Sequence, residues 1–393
     1  MIADIFSDAN RRNPFPVYDQ VRAASPVFHH GEFGLWMIFD YAGVERALTE
    51  YESFSSRYGP DWIIFTDPPR HSKLRALISR AFTPRSIANL ETRIAELSKG
   101  LLDELIPRGE MDLAVDYAFV LPLMVIAEML GIPLADRPRF RQWNQIMMEM
   151  SHTIPTRKTP QAMKATSDFI TATGEMGEYL TRMLELRRAD PRDDLLTRLD
   201  QAQVDGQRLT HNEILGFFQV LLLAGSETTT NLINNAILCF IEHPDQLARV
   251  REQPDLLPSA IEEVLRFRSP LQWMYRVARS DITIGGQTIP AGKLVLAMIG
   301  SANRDPAQFS NPNEFDIARQ PNPHLAFGKG IHFCMGAPLA RLEGRIAISH
   351  LLTRLKNVRL ATEEPWEPGK GLHGHGPARL PIRFDPAVDP AVL

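Results

Sequence analysis

The sequence predicts a mainly α protein with a minor β portion. Three observations predict it. Residues 69 to about 187 carry helical patterning, broken only by punctuation at Pro84, Gly109, Pro133 and Pro155. A capping signature at Thr210-His-Asn-Glu213 opens a long apolar run. Strand-like runs are few and short, and they lie beside glycine turns.

The elements follow in order. Residues 26–40, PVFHHGEFGLWMIFD, read as a hairpin turning at His30 to Gly34, and Tyr41 to Leu48 as a helix. Asp67-Pro-Pro-Arg-His-Ser-Lys-Leu-Arg75 starts another helix, with His71 and Arg75 four apart on one face. The segment from Met147 to Pro160 is rich in Met and then in breakers, and reads as a mobile connection between helices. The helix opened by Thr210 can run to about Ile241, roughly 45 Å at 1.5 Å per residue. Its apolar residues cover all sides early on, so it crosses the interior. A helix over about Leu256 to Phe267 follows, then strands at Ile282–Ile284 and Leu294–Met298, with turns at Gly285-Gly286 and Pro290-Ala-Gly292. A last long helix follows Cys334. The chain reads as one domain over 1–393, with 385–393 a loose tail.

Composition narrows the function classes. The chain has 393 residues, 43 Lys and Arg against 47 Asp and Glu, and a net charge of -4, which gives no global signal for nucleic acid or membrane. Its two cysteines, Cys239 and Cys334, cannot build a disulfide framework and suit a reducing cytoplasm. The N-terminus has no signal-peptide pattern, and the longest apolar stretch, Ile214 to Gly225, is too short to span a bilayer. A monomer is the simplest expectation. Cys239, in an apolar pattern, reads as inert core.

Residues 327–336 read Phe-Gly-Lys-Gly-Ile-His-Phe-Cys-Met-Gly. Gly328, Gly330 and Gly336 flank one cysteine; glycine supplies positive φ and lets backbone approach a ligand. A helix starts at once, with Pro338 in its first turn. Cys334 therefore sits at a helix N-terminus, where free amides and the dipole favour a thiolate. By itself such a cysteine is most often a buried thiol in a turn. The ten residues together match F-x-x-G-x-x-x-C-x-G, and at this point the chain resembles the soluble bacterial members of the cytochrome P450 superfamily.

That resemblance covers about Asn13 to Phe384 and carries further expectations. It implies a triangular prism with haem b between the long helix and the cysteine-loop helix. Cys334 would ligate the iron, with Phe327, Gly328 and Gly336 of the same loop also binding the haem. His71, Arg75, Arg276 and His332 would hold the haem propionates; read alone, a His/Arg pair at this spacing is usually an exposed face. Glu263 and Arg266, three apart on one helix face, would join Arg319 in a buried structural network.

Ala224-Gly-Ser-Glu-Thr228 puts an acid and hydroxyls in the middle of an apolar helix, a costly arrangement unless it has a use. Gly225 and the hydroxyls can bend the helix and open it locally. The resemblance gives Glu227 and Thr228 the role of passing protons during oxygen activation. By position the substrate pocket draws on Trp62, Ile63, Ile64, Gln219, Leu223, Ala224, Leu271, Trp273, Met274, Leu372 and His373. This mostly apolar set suits a lipophilic substrate. The implied reaction is a monooxygenation by dioxygen, with electrons from a ferredoxin or flavodoxin and its reductase, because the chain has no flavin or iron–sulfur motif. A peroxide-driven relative or a haem sensor would not need the Glu227-Thr228 pair. Lys329, Arg341, Arg345, Arg70, Lys73 and Arg80 suggest a cationic face for an acidic redox partner.

Overall fold

Thr210 and Glu213 cap each other: the Thr210 hydroxyl accepts from the Glu213 amide (3.3 Å), and the Glu213 carboxylate accepts from the Thr210 amide (2.8 Å). From this box a single helix runs over His211–Glu242, 32 residues or roughly 48 Å. The architecture, a computed structural model describing residues 7–31, 33–152 and 159–386, is organised around it. The helices Val120–Met129, Arg137–His152, Pro160–Ala189, Leu257–Phe267 and Ala337–Arg354 all pack on this helix. Its side chains supply much of the main apolar core, from Ile214 and Phe218 to Ile233 and Leu238.

No break interrupts the long helix at Gly225. The local opening expected there is not seen, and the glycine has another use. A Cβ at Gly225 would lie 2.7 Å from the Ile126 side chain, so the glycine admits the neighbouring helix. The hydroxyls do bond back as their chemistry allows: Thr228 donates to Ala224 (2.6 Å), Ser226 to Leu222 (3.0 Å) and Thr230 to Ser226 (2.8 Å).

A five-stranded sheet flanks the helices, in the order Val27–His30, Leu35–Ile38, Leu294–Ala297, Met274–Ala278, Phe54–Ser55. Its one parallel pairing joins Leu35–Ile38 to Leu294–Ala297, with Trp36 opposite Val295. Residue 32 of the expected first hairpin lies outside the described residues; its flanking strands pair antiparallel, Val27 opposite Ile38. The Gly285-Gly286 turn closes a small hairpin between Ile282–Ile284 and Gln287–Ile289, and both glycines have positive φ, 55° and 78°.

Two expectations fail in part. Residues 147–152 are not a connection: the helix Arg137–His152 runs through them. Phe140, Trp143, Asn144, Met147 and Ser151 form one buried face at helical spacing, so the methionines continue an amphipathic pattern and the breakers come only later. The rest of that segment, 153–158, lies outside the described residues. Asp385 and Pro386 are not loose either. They end the strand Pro381–Pro386 and pair with Lys356 and Leu355; positions 387–393 lie outside the described residues.

Candidate haem-thiolate active site

The loop before the last long helix is held by its own backbone. The Cys334 amide donates to the Phe327 carbonyl (2.9 Å), Gly328 to Leu325 (2.8 Å) and Phe333 to Gly330 (3.1 Å). Gly328 and Gly330 take positive φ, 70° and 73°. At Gly330 a Cβ would also meet the Leu48 carbonyl and Thr49 Cα at 3.1 Å. Gly336 differs, with φ -80°; there a Cβ would lie 3.7 Å from the Cys334 sulfur, an ordinary contact. Arg75 donates to the carbonyls of Ile331 (2.9 Å) and Phe333 (2.8 Å), clamping the loop on both sides of His332. The Phe327 ring lies under the Arg341 guanidinium at 4.5 Å.

Cys334 has accessible surface although protein atoms crowd around it. Burial raises its thiol pKa and outweighs the amides of Gly336 and Ala337 and the charges of Arg75 and Arg341, which favour the thiolate. The helix-end effect read from the sequence is therefore present but is not the larger one.

Three basic side chains meet close to this loop. His71 and His332 lie ring against ring at 4.2 Å. Burial pushes both imidazoles toward the neutral form, His332 to about 3. Both ring nitrogens of His71, and Nε2 of His332, are buried without a hydrogen-bond partner among the described residues. Arg276, brought in by the strand Met274–Ala278, bonds the Ala47 and Tyr275 carbonyls and is pushed down to about 10 by burial. Buried donors without acceptors are unfavourable unless an anionic group joins them. Such a set can hold a ligand bearing acid groups, beside a sulfur that can bind a metal.

The long helix supplies an accessible stretch opposite in character. Ala224 is exposed, and Leu223, Gly225, Glu227 and Thr228 are half-buried, in a helix whose later turns are buried. A mid-helix alanine with open surface lines a space. Glu227 lies 3.5 Å from His152, and its side chain keeps 15% exposure despite its depth.

The family description "Cytochrome P450" matches residues 41–372. The chain belongs to the cytochrome P450 family. It is 40% identical over 388 residues to Cytochrome P450 109 of Bacillus spizizenii, covering 97% of this chain and 94% of that one. It is similar to the structure of CYP109Q5 from Chondromyces apiculatus, with TM-score 0.90 and 37% identity over 99% and 100% of the two chains. CYP109E1 from Bacillus megaterium, solved in complex with testosterone, matches with TM-score 0.87 and 38% identity over 94% of this chain and 99% of that one. This P450 is thus a haem-thiolate monooxygenase, and haem b is its family's cofactor.

The remaining expected residues fall into place unevenly. Glu263 and Arg266 are fully buried and doubly bonded (2.7 and 2.8 Å), and Arg319 donates to the same carboxylate at 3.1 Å. Arg266 also donates to the carbonyls of Asn303, Pro312 and Glu314, and Arg319 to those of Ser310, Asn311 and Glu314. The segment leading to the cysteine loop is thereby tied to one helix. Of the pocket set, Ile64, Leu223, Ala224, Leu271, Met274, Leu372 and His373 keep accessible surface, whereas Trp62, Ile63, Gln219 and Trp273 are buried. Gln219 is not a free polar anchor: its oxygen accepts from Trp62 Nε1 and its nitrogen donates to Thr173.

The cationic face is largely neutralised. Lys329 pairs with Glu45, Arg341 with Glu262, Arg345 with Glu91 and Arg70 with Asp61. Glu45, Glu262 and Glu91 come from distant segments, which is why a local reading of the basic residues overstates the charge, whereas Asp61 lies nine residues from Arg70. Sequence reasoning also missed buried Asp67, whose carboxylate accepts from Ser55 (2.5 Å), the Ser56 amide (2.9 Å) and Arg279 (2.6 Å). It missed Asn144, which bonds the Leu222 carbonyl and Ser226 in the long helix. An acid before Pro-Pro and an Asn on a Met-rich helix carry no local signal of these roles.

Proposed function

We propose that this P450 holds haem b through the Cys334 sulfur and oxidises a bulky lipophilic substrate lying against the long helix. The observation that carries the reading is accessible Cys334 near buried His71 and Arg276 and half-buried His332, with buried ring nitrogens of both histidines lacking a partner among the described residues. His71, His332 and Arg276 would meet the propionates, and Arg75 would chiefly hold the loop. When bound, haem with a thiolate ligand supplies dioxygen activation and O–O cleavage. Metal binding also removes the thiol proton despite burial.

The chain's own residues do the rest. Thr228, back-bonded to the Ala224 carbonyl, holds a hydroxyl where the helix is accessible. Glu227 on the same turn can hand it protons. Ile64, Leu223, Ala224, Leu271, Met274 and Leu372 present an apolar lining that excludes water and binds a carbon skeleton. The likeness to a P450 crystallised with testosterone favours a fused-ring substrate of that size. Electrons come from a separate small ferredoxin or flavodoxin with its reductase.

The test is a screen of fused-ring lipophiles for a low- to high-spin shift of the haem absorbance, followed by turnover with a surrogate ferredoxin system and with peroxide alone. Binding with ferredoxin-dependent product supports the reading; turnover only with peroxide overturns it.

A further inference from the structure

Glu227 is enclosed by three elements. It stands on the long helix. His152, the last residue of the helix Arg137–His152, brings Nε2 to 3.5 Å from its Oε1. The C-terminal loop closes the third side with two glycines. A Cβ at Gly371 would lie 2.6 Å from the His152 ring and 3.3 Å from Glu227 Oε1, and one at Gly374 would lie 2.7 Å from that oxygen. His373 sits between these glycines.

The loop is fixed where it meets the carboxylate. The Gln272 amide donates to the His373 carbonyl (2.7 Å), Leu271 pairs with Gly374, and Arg11 donates to the Gly369 and Gly371 carbonyls. Among the described residues, the titratable groups facing Glu227 are His152 from one element and His373 from the other. Its own helix offers no titratable group on the adjoining turns, whose polar residues are Ser226, Thr228, Thr229, Thr230 and Asn231. Arg11, with Asp8 at its side, touches only the carbonyls of the loop.

We propose that His152, as proton donor, and His373, as positioning residue, hold the Glu227 carboxylate in a His–Glu–His cluster through which protons reach Thr228. The proposal rests on the reading of Glu227 and Thr228 given above. In each passage a His152 N–H bond breaks and a Glu227 O–H bond forms. Glu227 then gives that proton to the Thr228 hydroxyl oxygen as the original Thr228 O–H proton passes on into the active-site pocket; Glu227 returns to carboxylate, and His152 is reprotonated from solvent. No electrons move within the cluster.

The electrostatics agree with the geometry. Burial works to raise the Glu227 pKa, yet His152 and His373 bring it below the usual value. Burial lowers that of His373, while Glu227 draws it up and His152 presses it down. The charges of Glu227 and His373 thus depend on one another. The two close glycines matter because any side chain there would part the acid from its histidines.

The experiment uses the holoenzyme and the variants His152→Gln, His373→Gln and Glu227→Gln. The infrared band of the protonated Glu227 carboxyl, assigned by its loss in Glu227→Gln, is followed against pH. In both histidine variants the band should grow in at higher pH than in the wild type. Product formed per reductant consumed should fall about tenfold and lose its pH dependence, while substrate affinity by spin shift stays unaltered in His152→Gln. An unmoved band, or a moved band with unaltered coupling and pH profile, overturns the proposal. If Glu227→Gln itself keeps full coupling, the underlying reading of Glu227 fails instead. Should His373→Gln not retain haem, His152→Gln decides alone, because its side chain lies outside the C-terminal loop.

Discussion

Trp62 and Gln219 are joined across 157 residues of sequence: the indole N–H donates to the Gln219 side-chain oxygen at 2.9 Å, and both residues are buried. Gln219 passes the connection on to Thr173 at 3.0 Å, on the helix Pro160–Ala189. Gly216, one turn earlier on the long helix, leaves room for the indole, which a Cβ there would approach to 3.2 Å. The loop carrying Ile63 and Ile64 is therefore fastened at one end to two helices.

Trp62→Phe keeps most of the ring and removes the N–H. The Gln219 oxygen is then buried without a donor, at a cost of about 1–3 kcal/mol. Chemical denaturation should read that loss. Spin-shift titration should show weaker substrate binding, because Ile64 loses its anchored neighbour. Equal stability and affinity in the variant would rule out the fastening role.

Cys334→His should fold and retain haem, because the backbone bonds of the loop do not use the sulfur. The red-shifted carbonyl band of a thiolate ligand should disappear from the reduced spectrum. An unchanged carbonyl spectrum would remove Cys334 from its assigned place.

Thr228→Val keeps the shape of the side chain and loses the bond to Ala224. Reductant should still be consumed, with product falling roughly tenfold and peroxide released in its stead. The measurement is product and peroxide per reductant. Full coupling in the variant means that ordered water or the substrate supplies the protons.

Glu263→Gln leaves the fully buried Arg266 without its anion and weakens the bond from Arg319. Removing one partner of such a pair costs about 3–5 kcal/mol. The urea midpoint should fall accordingly, and haem should be lost at lower denaturant concentration than in the wild type. A change within error would mean that the carbonyls around Arg266 suffice to hold it.

Glu262 makes stability depend on acid. Burial works to raise its pKa, but Arg341, with two bonds of 2.7 Å, and His324 at 3.0 Å hold it down to about 2 from 4.5. A depressed carboxyl stabilises the fold above its unfolded pKa and loses that contribution as pH falls through the folded one. The loss therefore lies between about pH 4.5 and 2. Glu262→Gln should flatten the stability profile over that window and lower neutral-pH stability by about 1 kcal/mol. Unaltered acid sensitivity would assign the window to other carboxylates.

How far the sequence carried the reading differs by the range of the interaction. Local signals were dependable. The capping box at Thr210, the glycine-framed loop at Cys334 and the Glu263/Arg266 spacing each concern residues within ten positions of one another. The pairs that neutralise Lys329, Arg341 and Arg345 join residues far apart in the chain, and so do Trp62 with Gln219 and Glu227 with His152. Nothing in a single sequence marks such partners. Gly225 is instructive: its presence in the helix is visible, but Ile126 as the reason is not. The Met147 region failed differently, because composition was weighed above a helical period that continues to Ser151.

The parallel pairing of Leu35–Ile38 with Leu294–Ala297 also sets a schedule for biosynthesis. The first three strands of that sheet leave the ribosome roughly 240 residues before its centre is made. At about 5–20 residues per second the wait is roughly 10 to 50 seconds. Throughout it the edge of Leu35–Ile38 has unpaired backbone and carries the apolar Met37 and Ile38, which end fully buried. The nascent N-terminal hairpin thus carries an unpaired apolar edge for that time, and slower translation lengthens its exposure.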